Sequence, residues 1–157
     1  MNNSIGCEPR SDLCRYVVLH HRPLSVQSNV SGDVSGRGKT LPRGVAAHFD
    51  WMFENGDSLL TWATDSLPSV TLAATVPAIQ LPGHRAVYLT FEGPLSGERG
   101  QVSQVERGCF RAVCVSADHC EFAVTGNRAG TIVFQRHQRG VEVTWDWSFR
   151  PTRADAS

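Results

Sequence analysis

The chain has 157 residues and no formal net charge, fifteen basic side chains balancing fifteen acidic ones, a length suited to one domain with a true hydrophobic core. Non-specific nucleic-acid binding rests on a positive excess, so this balance excludes a uniformly basic binder and leaves only a local patch. No stretch approaches the roughly eighteen apolar residues of a membrane span, and the opening MNNSIGCEPRSD has no apolar run, so a soluble, cytoplasmic protein without a membrane partner is expected.

Lys39 is the only lysine and the other fourteen basic residues are arginines. Arginine makes forked contacts to phosphate and carboxylate, although a GC-rich coding sequence produces the same bias. The five cysteines, Cys7, Cys14, Cys109, Cys114 and Cys120, are odd in number and form no C-x-x-C pair. Cys109 and Cys114 lie among apolar residues, which predicts buried free thiols in a reducing compartment.

Residues 1–14 are polar and read as a tail. Tyr16 to His21 is a β-branched run ending in two histidines, and Arg22-Pro23 stops it. Residues 24–44 are rich in Ser and Gly and predict a loop insertion. Next comes HFDWMFE, residues 48–54. Alternation places Phe49, Trp51 and Phe53 on one face of a strand and His48, Asp50, Met52 and Glu54 on the other. Asn55-Gly56-Asp57 is a turn signal before LLTWA (59–63), so 48–64 reads as a hairpin. Further strands are predicted at 76–81, 86–93, 101–106, 109–116, 121–125, 131–136 and 141–149, with glycines between them. Short strands with glycine punctuation and no helical periodicity predict one all-β domain over 15–150, a barrel or sandwich, followed by a tail at 151–157.

An alternating segment is ordinarily a strand with a solvated polar face. A histidine and an aspartate two residues apart on one face, however, can converge on a cation. If the strand ending in His21 shares that surface, two imidazoles and a carboxylate could hold a divalent ion with open positions. LPGHRAVYLTFEG would place His84, Ala86, Tyr88, Thr90 and Glu92 on a common face, with His84 and the Tyr88 hydroxyl as donors to a bound group.

VVLHH (17–21), HFDWMFE (48–54), LLTWA (59–63) and HRAVYLTFEGPLSGERGQV (84–102), in this order over most of the chain, resemble the 3′-phosphoesterase domain at the N-terminus of bacterial DNA ligase D and its small free-standing relatives. The resemblance implies a closed β-barrel of about eight strands with a polar groove on its outer surface. It also implies a manganese-dependent hydrolase of DNA repair and end joining that removes a terminal ribonucleoside and then the remaining 3′-phosphate. The metal ligands would be His21, His48 and Asp50, and His84 and Tyr88 would contact the scissile phosphate. The partners implied are nucleic-acid 3′ ends, with a separately encoded ligase or polymerase.

The chain departs from that family where Met52, Leu19 and Val76 stand at positions that carry arginine, glutamine and arginine. Losing such donors could cost a few kcal/mol of transition-state stabilisation, each 1.4 being about tenfold in rate. A descendant that keeps the metal but only binds nucleic-acid ends or a repair partner is therefore an alternative. A second is a 2-His-1-carboxylate iron oxygenase, in which His84, His119 or His137 joins His48 and Asp50. His20 alternates away from His21. Trp145 and Trp147 read as closing-strand packing or as a base-stacking platform, and Glu54 and Glu92 as partners orienting a ligand or as solvated acids.

Overall fold

The computed structural model describes residues 12–24 and 46–153. Of the predicted 24–44 insertion only Leu24 falls among them. Nine strands follow in chain order: β1 (Cys14–Arg22), β2 (His48–Asn55), β3 (Ser58–Thr64), β4 (Ala74–Arg85), β5 (Gly93–Pro94), β6 (Gln101–Val115), β7 (His119–Gly126), β8 (Gly130–Arg139) and β9 (Glu142–Pro151). They form one antiparallel sheet in the order β1-β2-β3-β4-β9-β8-β7-β6-β5, and an added β1–β6 pairing joins eight of them into a ring. The predicted hairpin forms, with Glu54 opposite Leu59 and Asn55 opposite Ser58. No helix of the described residues is long and apolar enough to cross a membrane.

Three predicted strands differ from what forms. The 86–93 strand is instead a 3-10 helix, Ala86–Leu89, and a short link to β5. The segments 101–106 and 109–116 are one strand, β6, fifteen residues long. Gly108 is not a turn between them but a close approach inside β6, where a methyl group would collide with the Thr125 carbonyl and press on the Tyr16 ring. A bulge near Val105 shifts the register, so Val18 faces Glu106 and Leu19 faces Gln104. The bulge bends β6, which pairs with β1 along its first part and with β7 along its second. Pro82-Gly83, another expected break, lies within β4 at a register shift between Leu59 opposite His84 and Thr61 opposite Leu81, the sort of place where a residue without an N–H is tolerated.

The interior of the ring is aromatic. Phe53 stacks on Phe122 at 4.2 Å, Trp62 on Phe134 at 4.0 Å, and Trp51 lies 4.9 Å from Trp147. Trp145 and Trp147 are both buried there, so they pack the closing strand rather than present a platform. Val76, from β4, packs against the same core. A second cluster lies on the other face of β1 and β2, where Val17, Leu19, Met52, Leu59 and Val102 are covered by Leu89, with Tyr88, Phe91 and Leu95 against them. Tyr16 to Leu19 and Asp50 to Phe53 are thus buried on both faces, although alternation alone predicts one wet face.

Arg128, wholly buried, holds one end of the core. Its guanidinium forks onto Glu106 at 2.9 and 3.0 Å and donates to the carbonyls of Ser69 and Pro68 at 2.7 and 2.8 Å. It also stands over the rings of Trp51, Trp147 and Phe149, 4.5 to 5.3 Å from their centroids. Tyr16 donates its hydroxyl to Glu106 at 2.9 Å. Burial first, then the neighbouring carboxylate, pushes the Tyr16 hydroxyl far above its ordinary pKa and keeps it a donor. Cys14 and Cys109 are half-buried free thiols and Cys120 is a buried one; Cys114, predicted free, is disulfide-bonded.

Replacing Arg128 by Ala leaves the Glu106 carboxylate buried with only Tyr16 to compensate it. The expected loss is roughly 3–5 kcal/mol, read as a fall in the urea midpoint at unchanged m-value.

Candidate metal centre

The β1–β2 register assembles the centre. His21 lies directly opposite His48, and Leu19 lies opposite Asp50. Residues two apart on a strand share a face, so His21, His48 and Asp50 emerge together on the side away from the aromatic core. His21 Nδ1 stands 3.2 Å from His48 Nε2 and 3.8 Å from Asp50 Oδ2, and His48 Nε2 stands 3.4 Å from Asp50 Oδ1. Ligands about 2.1 Å from a tetrahedral or octahedral ion stand about 3.0–3.4 Å apart. The three groups therefore fit one divalent cation after a small rotation of the carboxylate.

Backbone carbonyls set the orientation of both rings. His21 Nε2 donates to the Arg99 carbonyl at 2.7 Å, and His48 Nδ1 donates to the Ala46 carbonyl at 3.0 Å. With those nitrogens carrying the hydrogens, the two that face each other across 3.2 Å present lone pairs. A carboxylate completes the set, so the three groups have no hydrogen to share among themselves. A proton shared between the rings would relieve the imidazoles but leave Asp50 Oδ1, which is buried and has no hydrogen-bond partner among the described residues. A metal ion would satisfy all three, and a carbonyl behind each ligating imidazole is the usual way of fixing its tautomer.

The Arg99 carbonyl reaches His21 because the loop before β6 sits tightly on the end of β1. A side chain at Gly100 would collide with the Arg22 carbonyl and the Pro23 α-carbon, and its φ of +88° is one that glycine adopts freely. Glu54 and Glu92, candidates from the sequence for orienting a ligand, do not serve the centre. Glu54 accepts from the Arg15 backbone and guanidinium at 2.6 and 2.9 Å, and the guanidinium lowers its pKa. Glu92 accepts the Gln104 N–H at 2.6 Å. The carbonyls that do the orienting have no signature in residue type, although the tight glycine at 100 offered a hint.

The 3-10 helix breaks the alternation that was to align His84 with Tyr88. His84 stands opposite Leu59, which stands opposite Glu54, two strands over and about 13 Å along β2 from Asp50 at 3.3 Å per residue. Its Nδ1 bonds the Pro82 carbonyl at 2.9 Å, and its ring meets Tyr88 edge-on at 5.8 Å. Tyr88 in turn packs on Phe91 at 5.8 Å. No described hydrogen bond or ring contact joins either residue to the three ligands. Between them and the centre lies the apolar cluster containing Leu19 and Met52, 0% and 2% exposed, where the resemblance implied polar donors. Val76 faces the interior.

His20 stacks on Phe49 at 4.6 Å. His119 bonds Gln135 at 2.7 Å and lies 3.4 Å from Glu121, and His137 bonds Asp146 at 3.0 Å. Both belong to β7 and β8, so among the described residues the only group of three or more metal-capable side chains is His21, His48 and Asp50. No protein-family model matches the chain, and no curated protein matches it.

Manganese at about one hundred times its Kd should stabilise the fold by about 2.7 kcal/mol, read as a rise in Tm. Asp50→Asn should abolish that rise. Without metal, the same substitution should make the fold about 1 kcal/mol more stable, because the new amide supplies hydrogens to two facing lone pairs. A less stable metal-free variant would contradict the lone-pair arrangement.

Proposed function

We propose that the protein is a metal-dependent 3′-phosphoesterase that trims 3′-ribonucleotide or 3′-phosphate ends in DNA repair, in the manner of the DNA ligase D domain that its sequence resembles. The observation that carries this reading is the convergence of His21, His48 and Asp50 across the β1–β2 register. The resemblance implies the same three ligands, and they sit on the outside of a ring of eight strands that we read as a closed barrel.

In this reading His21 and His48 supply neutral imidazoles to a cation, most simply manganese, and Asp50 supplies the charge. When bound, such an ion neutralises phosphate charge and generates a nucleophilic water near neutral pH. The carbonyls of Arg99 and Ala46 hold the rings to one tautomer, so the ligand geometry needs no rearrangement when an end arrives. The apolar cluster of Leu19, Met52 and Leu59 excludes water from one flank of the centre and strengthens the electrostatics there. Tyr88 keeps the expected role of contacting the substrate, from the 3-10 helix; His84 supports it through ring contact.

The apolar residues Leu19 and Met52 favour the second reading, a descendant that binds ends or a repair partner without turnover. An end-labelled primer-template carrying a 3′-ribonucleotide or a 3′-phosphate, incubated with manganese, separates the two. The expected result is trimming that Asp50→Ala slows by roughly a thousandfold, about 4 kcal/mol of transition-state stabilisation. A wild-type protein that takes up manganese and leaves both ends intact would discard the hydrolase in favour of the binding descendant.

A further inference from the structure

The two flanks of the metal centre differ in charge. On the flank that His48 borders lies a cleft of about 610 Å³ lined by Asp65 and Asp146 together with Ala78, Ile79 and Trp145, with no arginine or lysine among its described walls. Beyond His21, on the other flank, a pocket of about 420 Å³ is lined by Arg85 and Arg99, with Tyr88, Phe91, Leu95 and Ser96, and no carboxylate among its described walls. The loop of Arg99 is the one whose carbonyl holds His21. A polyanion approaching the centre is repelled on the first flank and attracted on the second.

The arginine pocket has the parts that a nucleotide needs. Arg99 spends two donors on Ser96, at 2.8 and 3.0 Å, which steadies the guanidinium and leaves its remaining N–H groups available. Among the described residues neither Arg85 nor Arg99 has an acidic partner. Tyr88 and Phe91 offer aromatic surface on which a base can stack, and the volume lies in the range that holds a small ligand.

We infer that this pocket seats one nucleotide unit of the strand end, its phosphate on Arg85 and Arg99 and its base against Tyr88 and Phe91. The two guanidinium groups thereby replace, from a different place in the fold, the anion-binding donors that Met52 and Leu19 do not supply. The inference rests on the reading of the centre as one that acts on nucleic-acid ends.

The test is the anisotropy of a labelled single-stranded oligonucleotide ending in a 3′-phosphate, titrated with the full chain without added metal so that no turnover occurs. Arg85→Ala/Arg99→Ala should weaken binding about tenfold or more. It should also lower the salt dependence by about 0.7, for the one phosphate contacted. Arg85→Lys/Arg99→Lys should recover part of both, and Asp65→Asn/Asp146→Asn should leave binding unchanged or tighter. The alanine pair keeps the Arg99 carbonyl, so its manganese-induced rise in Tm should persist, which shows that fold and centre are intact. Wild-type affinity in the alanine pair, or no binding by the wild type, overturns the pocket. Turnover assayed separately keeps the two readings apart. Arginine-dependent binding without hydrolysis removes only the hydrolase, whereas hydrolysis and binding untouched by the alanine pair remove only the pocket.

Discussion

Six residue pairs between β1 and β2, from Tyr16 opposite Phe53 to His21 opposite His48, hold the register on which the rest of the protein depends. Because side chains alternate, one register puts Tyr16, Val18, Trp51 and Phe53 into the aromatic core and puts His21, His48 and Asp50 on the far side. A slip of one residue would exchange the two faces. It would take Trp51 and Phe53 out of the aromatic core, where burial contributes roughly 1.5–3 kcal/mol each, and drive an aspartate and a histidine into that core without partners. The packing of the core therefore enforces the geometry of the centre.

Burial on both faces makes that register more secure and changes the electrostatics around the ligands. The segment from the 3-10 helix to β5 lays Leu89, Phe91 and Leu95 over Val17, Leu19 and Met52, and the Asp50 carboxylate beside them is 4% exposed. Charges in such surroundings interact more strongly than in water, and an uncompensated one is costly. The protein meets that demand at two places in two ways. Glu106 is answered by a protein cation, Arg128, with Tyr16 as a further donor. Asp50 Oδ1 has no hydrogen-bond partner among the described residues, and the nearest nitrogen, His48 Nε2, stands 3.4 Å away. The contrast separates a carboxylate neutralised by a protein cation from one that stands in a group able to hold a metal ion.

The same loop serves both the centre and its surroundings. The segment carrying Arg99 fixes His21 through a carbonyl and presents a guanidinium to a pocket whose described walls hold no acid, while the described walls of the opposite flank carry two aspartates. Neutral overall charge is compatible with this division, since association is steered by the local field rather than by the sum.

Much of this was legible in the sequence. The sequence left open whether His21 would join His48, but alternation in HFDWMFE separated the aromatic face from that of His48 and Asp50, and Asn55-Gly56-Asp57 marked the hairpin. Those features depend on local periodicity and turn chemistry, which residue order encodes directly. The 3-10 helix at Ala86–Leu89 was not legible, because VYLTF has the composition of a strand and only packing against Leu59 and Val102 decides otherwise. The role of Arg128 was not legible either, because its burial depends on Glu106, Trp51 and Phe149 from distant parts of the chain. Nor could residue type reveal the carbonyls of Arg99 and Ala46, since every residue carries one. Residue order carries the all-β class, the hairpin and the shared face of His48 and Asp50, because these follow from side-chain order along single strands. How His21 joins them, how the imidazoles are oriented and what covers the three groups depend instead on segments that meet only when the ring has closed.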